Sequence, residues 1–150
     1  MEPSDVSHVL VVANRTAATP ALLDAVRRRA AEGRARFTLL VPAVARGLHR
    51  AVDPEDQEGT EAEAALDLAI PLLEEAAGGT VDGMVGAPEP LAAIEDAVNA
   101  GDFDEIIVST LSTHVSRWLH LDLPRKAAGL GLPVTTVTAP GRGARSSGER

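Results

Sequence analysis

The sequence predicts a doubly wound α/β sandwich, in which a mostly parallel five-stranded sheet is covered by helices on both faces. Three observations carry that expectation. Short continuous apolar runs, such as His8-Val-Leu-Val-Val-Ala13, suit strands buried on both sides. Between them lie stretches with apolar residues at helical spacing, and this alternation requires right-handed crossovers and parallel pairing. The 150 residues have the length of one domain with one core, and their 45% hydrophobic content suits a globular chain.

The first strand is His8–Ala13, ending in Asn14-Arg15-Thr16. Thr19 before Pro20 is an N-cap with a first-turn proline. Leu22, Leu23, Val26 and Ala30 then recur at helical spacing as far as Gly33, with Arg27, Arg28 and Arg29 on the opposite face. Phe37–Val41 is the second strand, stopped by Pro42. Residues 42–59, with Asp53-Pro54-Glu55-Asp56 inside them, are too long and polar for an ordinary connection and read as a loop or a lid. Thr60-Glu-Ala-Glu63 is a capping box. The stripe Ala62, Leu66, Ala69, Ile70 and Leu73 runs on to Ala77-Gly78-Gly79, with a kink expected at Pro71.

Val81–Val85 is a third strand weakened by Gly83, and Gly86-Ala-Pro-Glu-Pro90 turns it into a helix carrying Leu91, Ile94, Ala97 and Val98 on one face up to Gly101. Glu105–Ser109 is the fourth strand. After a hydroxyl-rich loop, a helix resumes near Leu123 and ends at Gly129 or Gly131, and Pro133–Thr138 is the fifth strand. From Pro140 on, no apolar residue is larger than Ala144, so the expected organisation is a domain over 1–139 and a disordered tail over 140–150. In such sheets ligands enter at the carboxyl ends of the strands, so function is sought in the loops after strands one, two and four.

Composition excludes several functions. Without cysteine there are no disulfides, thiolate nucleophiles, iron–sulfur clusters or thiolate zinc sites. Aromatic residues are 2% of the chain (Phe37, Phe103, Trp118), too few for a ring-stacking platform for single strands. The net charge of −8 is unevenly spread. Residues 1–50 carry eight Arg against four acids, residues 51–116 carry sixteen acids and no Lys or Arg, and residues 117–150 carry six bases against two acids. An acidic body repels a polyanion, so no nucleic-acid partner is expected. The acids read as solvated helix faces, with electrostatic steering as the other reading. The start lacks the basic region of a signal peptide, and no apolar run nears the ~20 residues of a spanning helix, so no membrane contact and a cytoplasmic location are expected.

Several segments, in this order and spacing, resemble the universal stress protein family over about residues 8 to 139. They are Val9-Leu-Val-Val-Ala-Asn14, Gly86-Ala-Pro88 with Ala93-Ile94 for a Gly-Asp-Pro and Ala-Ile pattern, Asp104-Glu-Ile-Ile-Val108 for an Asp-Leu-Ile-Val strand, and Leu132-Pro-Val134. The resemblance implies strand order 3-2-1-4-5, a Rossmann-like sandwich of the adenine-nucleotide α-hydrolase kind, and a homodimer formed along the fifth strand. Val134, Thr136 and Thr138 lie on that β-branched edge, which has no charged gatekeeper inside it. An edge covered by the tail is the other reading.

Nucleotide-binding members follow the fourth strand with a glycine-rich loop, whose glycines let backbone amides approach the phosphates and whose Ser or Thr opens a helix. Here Ser109 to Lys126 contains no glycine. With Ser116-Arg117-Trp118-Leu119 laid on the family's Ser-Arg-Leu-Leu, Leu121 and Asp122 fall where Gly and Ser or Thr belong, and the loop is about two residues shorter. Asp122 reads as an N-cap that sets a carboxylate where phosphates need amides. Asn14 replaces an Asp found in many members.

The residues left to form a crevice are Asn14, Arg15 and Thr16 facing Ser109, Thr110, Ser112, Thr113, Ser116 and Arg117. Hydroxyls and a guanidinium suit a phosphate or sulfate, though the same hydroxyls can satisfy their own turns. His114, His120 and Asp122 match no compact zinc spacing, and His8 and His49 are remote, so no metal is expected. The sequence holds no Gly-x-Ser-x-Gly elbow, no His-x-Gly-His and no Ser-Gly-Gly-x-Asp-Ser, so neither an enzyme nor a cofactor is expected. The resulting expectation is a non-enzymatic, dimeric regulatory or stress-response module that meets a protein partner. Its alternative is a receptor for a nucleotide or other phosphorylated small molecule, held between strands one and four.

Overall fold

The computed structural model describes residues 6–13, 17–43, 54–110 and 122–138, with the backbone alone for 54–60. In chain order these form β1 (Ser7–Val12), α1 (Pro20–Glu32), β2 (Ala35–Pro42), α2 (Pro54–Ala77), β3 (Val81–Gly86), α3 (Pro90–Ala100), β4 (Glu105–Thr110), α4 (Leu123–Ala128) and β5 (Val134–Thr138). The strands lie in the order β3-β2-β1-β4-β5 and every pairing is parallel, as the sequence predicts. Val9 sits between Phe37 and Glu105, and Val12 between Leu40 and Val108.

Successive side chains of a strand point to opposite faces, so the unbroken apolar run of β1 feeds two cores. Val9, Val11 and Ala13 join Leu22 and Val26 of α1 and Leu66, Ala69 and Leu73 of α2 on one face. Leu10 and Val12 join Ile94 and Ala97 of α3 and Leu123 and Ala127 of α4 on the other. Each fully buried Leu or Ile contributes about 1.5–3 kcal/mol, so these layers hold the sheet between them.

At the start of α1, the hydroxyl of Thr19 accepts from the Leu22 amide at 3.4 Å, and Pro20 occupies the first turn. One charge on this helix departs from the expected pattern. Arg27 and Arg28 are exposed and pair with Asp24 at 3.4 and 3.3 Å. Arg29 lies three residues after buried Val26, which brings it round to the sheet side, where its Nε and a terminal nitrogen donate to Glu105 Oε2 at 2.9 and 2.8 Å. That hydrogen bond holds the Arg29 pKa above its ordinary value, against the opposing effect of burial. The pair therefore fastens α1 to the start of β4 with Arg29 charged at all working pH values.

The second helix is longer than expected. It begins at Pro54, so the loop or lid read over 42–59 is helical in its last third and Thr60–Glu63 lies inside the helix rather than capping it. A proline in the first turn followed by Glu55 and Asp56 at the positive end of the helix dipole is a start signal that outweighs the later capping box. The remaining residues of that stretch, 44–53, lie outside the described residues, as does the expected tail over 140–150. The helix passes through Pro71 unbroken. Pro71 and Asp67, whose carbonyl loses its partner there, are both exposed, so water can satisfy that carbonyl. Gly78 ends α2 with φ of 78° and donates to the Glu74 carbonyl at 2.8 Å.

The weak third strand is a full member of the sheet, paired to β2 from Val81 to Gly86. At Gly86 α3 comes close to the sheet. A Cβ there would lie 2.7 Å from the Ala93 Cβ and 2.8 Å from Leu40 Cδ1. Glu89 then caps α3 by accepting from the Ala92 amide at 2.9 Å. Gly86→Ala should cost about 1–3 kcal/mol in a urea titration, because Ala93 has no flexible end to yield. Gly83→Ala, which meets only the tips of Ile70 and Leu66, should cost less. Equal effects would disprove the close-approach account.

Candidate functional site

From β1 the chain moves outward through β2 to β3, then crosses back over α3 to β4 on the other side of β1. The connections therefore diverge at the carboxyl ends of β1 and β4, the position where an open α/β sheet leaves a crevice. Ala13, Ser109 and Thr110 form its buried floor, 0%, 1% and 2% exposed. The Ala13 amide donates to the Leu40 carbonyl at 3.1 Å, extending β1 along β2, while Ser109 is level with Val137 and Thr110 with Thr138 on β5.

The structure does not gather the two hydroxyls on one side. Ser109 follows Ile107 by two residues and so lies on the face covered by α1 and α2, whereas Thr110 follows Val108 and lies on the face of α3 and α4. A ligand at the strand ends meets Ser109 and Thr110 from opposite sides of β4. Asn14, Arg15, Thr16, Ser112, Thr113, Ser116 and Arg117 lie outside the described residues, as do His49, His114, Trp118 and His120.

Asp122 corrects an expectation. It precedes α4 but its backbone is left-handed, φ 59° and ψ 38°, and its side chain makes no capping bond. A cap reaches the first-turn amides from an extended backbone, which this residue does not have. Its carboxylate instead lies 3.6 Å from Arg125, an exposed ion pair, and its carbonyl accepts from the Lys126 amide at 3.1 Å.

His8, remote from every candidate site in sequence, lies at the opposite end of the sheet. Its Nδ1 is 3.1 Å from the Asp102 carbonyl, which can only accept, so Nδ1 carries the proton. In the neutral ring Nε2 then accepts from the Thr38 hydroxyl at 3.0 Å. The ring lies against Phe103 with centroids 4.1 Å apart, and the His8 amide donates to the Asp104 carboxylate at 2.8 Å. No spacing in the sequence links residues 8, 38 and 102–104, so only folding reveals this clamp. Among the described residues no group of three or more His, Asp or Glu could hold a metal.

The β5 edge has a defined polarity. The Ile106 amide donates to the Pro133 carbonyl at 2.9 Å, so residues 133, 135 and 137 bond to β4 and Val134, Thr136 and Thr138 turn their amides and carbonyls outward. Val134, Thr136 and Thr138, the residues expected at a dimer edge, thus have backbone groups without a partner in β4.

No family profile matches the sequence, and no curated protein matches it. Solved structures do. A universal stress protein family member from Burkholderia pseudomallei matches with TM-score 0.63 and 20% identity, over 91% of this chain and 98% of that one. A universal stress protein from Archaeoglobus fulgidus matches with TM-score 0.62 and 18% identity, over 87% and 93%. A universal stress protein in complex with cAMP matches with TM-score 0.60 and 17% identity, over 87% and 96%. The chain has a universal stress protein-like fold. Among the described residues no helix is long and apolar enough to cross a membrane.

Among the described residues Asp122 is the one non-glycine residue with a left-handed backbone, which gives a simple test. Asp122→Gly should raise stability by roughly 1 kcal/mol in chemical denaturation, since glycine enters this region without a Cβ penalty and the lost ion pair is exposed. A loss of stability would show that the carboxylate holds α4 in place.

Proposed function

We propose that the chain is a non-catalytic regulatory or stress-response module on a universal stress protein-like fold, acting as a homodimer through protein contacts and without a glycine cradle for Mg-ATP. The observation that carries this reading is the glycine-free run from Ser109 to Lys126, directly after the strand at the switch point. A phosphate cradle needs backbone amides at close range, and side chains at the former glycine positions keep the backbone away. Asp122, which the resemblance sets where the Ser or Thr of that loop belongs, offers a carboxylate paired to Arg125 in place of a hydroxyl.

Mg-ATP should therefore leave the melting midpoint unchanged. A site with Kd near ~10 μM would at ~1 mM nucleotide add about 2.7 kcal/mol, a rise of about 5 to 11 °C for a domain of this size. A saturable rise of that order would overturn the proposal. One observation favours a second reading, a receptor for a nucleotide or another phosphorylated ligand. Ser109 and Thr110 lie at the strand ends, and a protein of this fold is seen in complex with cAMP. A rise given by cAMP or AMP and lost in a Thr110→Leu variant would promote that reading.

The dimer has its own test. The Thr136 amide points away from β4, so Thr136→Pro removes an outward donor and leaves the ladder to β4 intact. Sedimentation at tens of micromolar, on the order of ordinary dimer affinities, should show a dimer for the parent chain and a folded monomer for the variant. A parent chain that sediments as a monomer refutes the dimer.

A further inference from the structure

The second helix is amphipathic twice over. Its core face, Ala62, Leu66, Ala69, Leu73 and Ala76, is buried against the sheet. A second apolar row, Ala64, Leu68, Pro71 and Leu72, follows the same helical spacing on the solvent side. Leu68 is 68% exposed and Leu72 39%, and with Val85 they are the exposed large apolar residues among those described. A monomer gains nothing from two leucines one turn apart in water.

The surroundings of this row point to its occupant. Glu63, Asp67 and Glu75 are exposed around it and form no ion pair among the described residues. The last turn of α2 carries no basic residue, so Glu75 adds its charge to the negative pole of the helix. A second copy of the same face is disfavoured, because two α2 helices laid together would set acid against acid with no Lys or Arg from residue 51 to 116 to intervene. The exposed bases of α1, Arg27 and Arg28, are paired to Asp24, and no large apolar residue is exposed on that helix to meet Leu68.

We propose that the outward face of α2, centred on Leu68 and Leu72 and framed by Glu63, Asp67 and Glu75, docks a basic amphipathic helix of a partner protein. Apolar residues of such a helix at i, i+3 or i+4 cover the leucines, and its flanking Lys or Arg residues meet the acids and the helix pole. The surface lies over β2 and β3, on the far side of the sheet from the β5 edge, so it is separate from the dimer edge, while as a partner-docking face it rests on the reading of a module that works through protein contacts.

The test uses the full chain and two synthetic helical peptides, one built from Leu and Lys and its counterpart built from Leu and Glu, followed by fluorescence anisotropy. The Leu/Lys peptide should bind saturably and the Leu/Glu peptide should not. Leu68→Ser with Leu72→Ser should weaken binding at least about tenfold, with the melting midpoint unchanged. Glu63→Gln with Glu75→Gln should weaken it too and flatten its dependence on salt, and this pair decides the matter if the leucine variant fails to fold. Parent-like binding by the folded leucine variant would reduce the effect to diffuse charge attraction and overturn the proposal. So would equal binding of both peptides. A dimer lost in sedimentation on changing the leucines would assign the face to a second copy instead.

Discussion

Burial of β1 on both faces is the constraint from which the rest of the architecture follows. Val9 to Ala13 have essentially no exposure, so neither side of the central strand can be left to water. Helices must then cover both sides, and parallel strands joined through them must cross over with one hand. Two crossovers on one side of β1 place α1 and α2 on one face, and the return through α3 places α3 and α4 on the other. The switch point is the geometric residue of that division.

The two ends of the sheet have different characters. At the amino end, β4 and the turn before it are held by side chains from elsewhere: Arg29 on Glu105, and the His8 ring on the Asp102 carbonyl and Phe103. These contacts lock the turn that sets β4 beside β1, and with it the alignment of the strands at the crevice. At the carboxyl end the floor is made of small residues, Ala13, Ser109 and Thr110. These small side chains belong to the ends of strands whose larger neighbours fill the two cores.

Charge is arranged to match. Among the described residues Glu61, Glu63, Asp67 and Glu75 of α2 and Glu95 and Asp96 of α3 are exposed, and the bases of α1 are consumed locally by Asp24 and Glu105. The chain thus presents an acidic surface around an apolar row on α2 and a nearly uncharged edge at β5. An uncharged β-branched edge favours backbone pairing, and an acidic rim favours a basic partner, so the two surfaces differ in what they can hold.

The sequence by itself determined the fold class, the nine elements described and most of their boundaries, because buried strands and amphipathic helices leave periodic marks in the order of residues. It also held the start of α2 in Pro54, Glu55 and Asp56, a local signal that the later capping box obscured. Tertiary structure alone decided which residues separated in sequence meet, and on which side. Arg29 looks like a solvated helix residue until packing turns it to Glu105, and His8 has no sequence relation to Thr38 or Asp102. Ser109 and Thr110 are neighbours that read as one hydroxyl cluster, yet the alternation of the strand sends them to opposite layers. An N-cap acts from an extended backbone, and whether Asp122 adopts one is not written in its residue type: the fold gives it a left-handed backbone instead, and its carboxylate turns to Arg125.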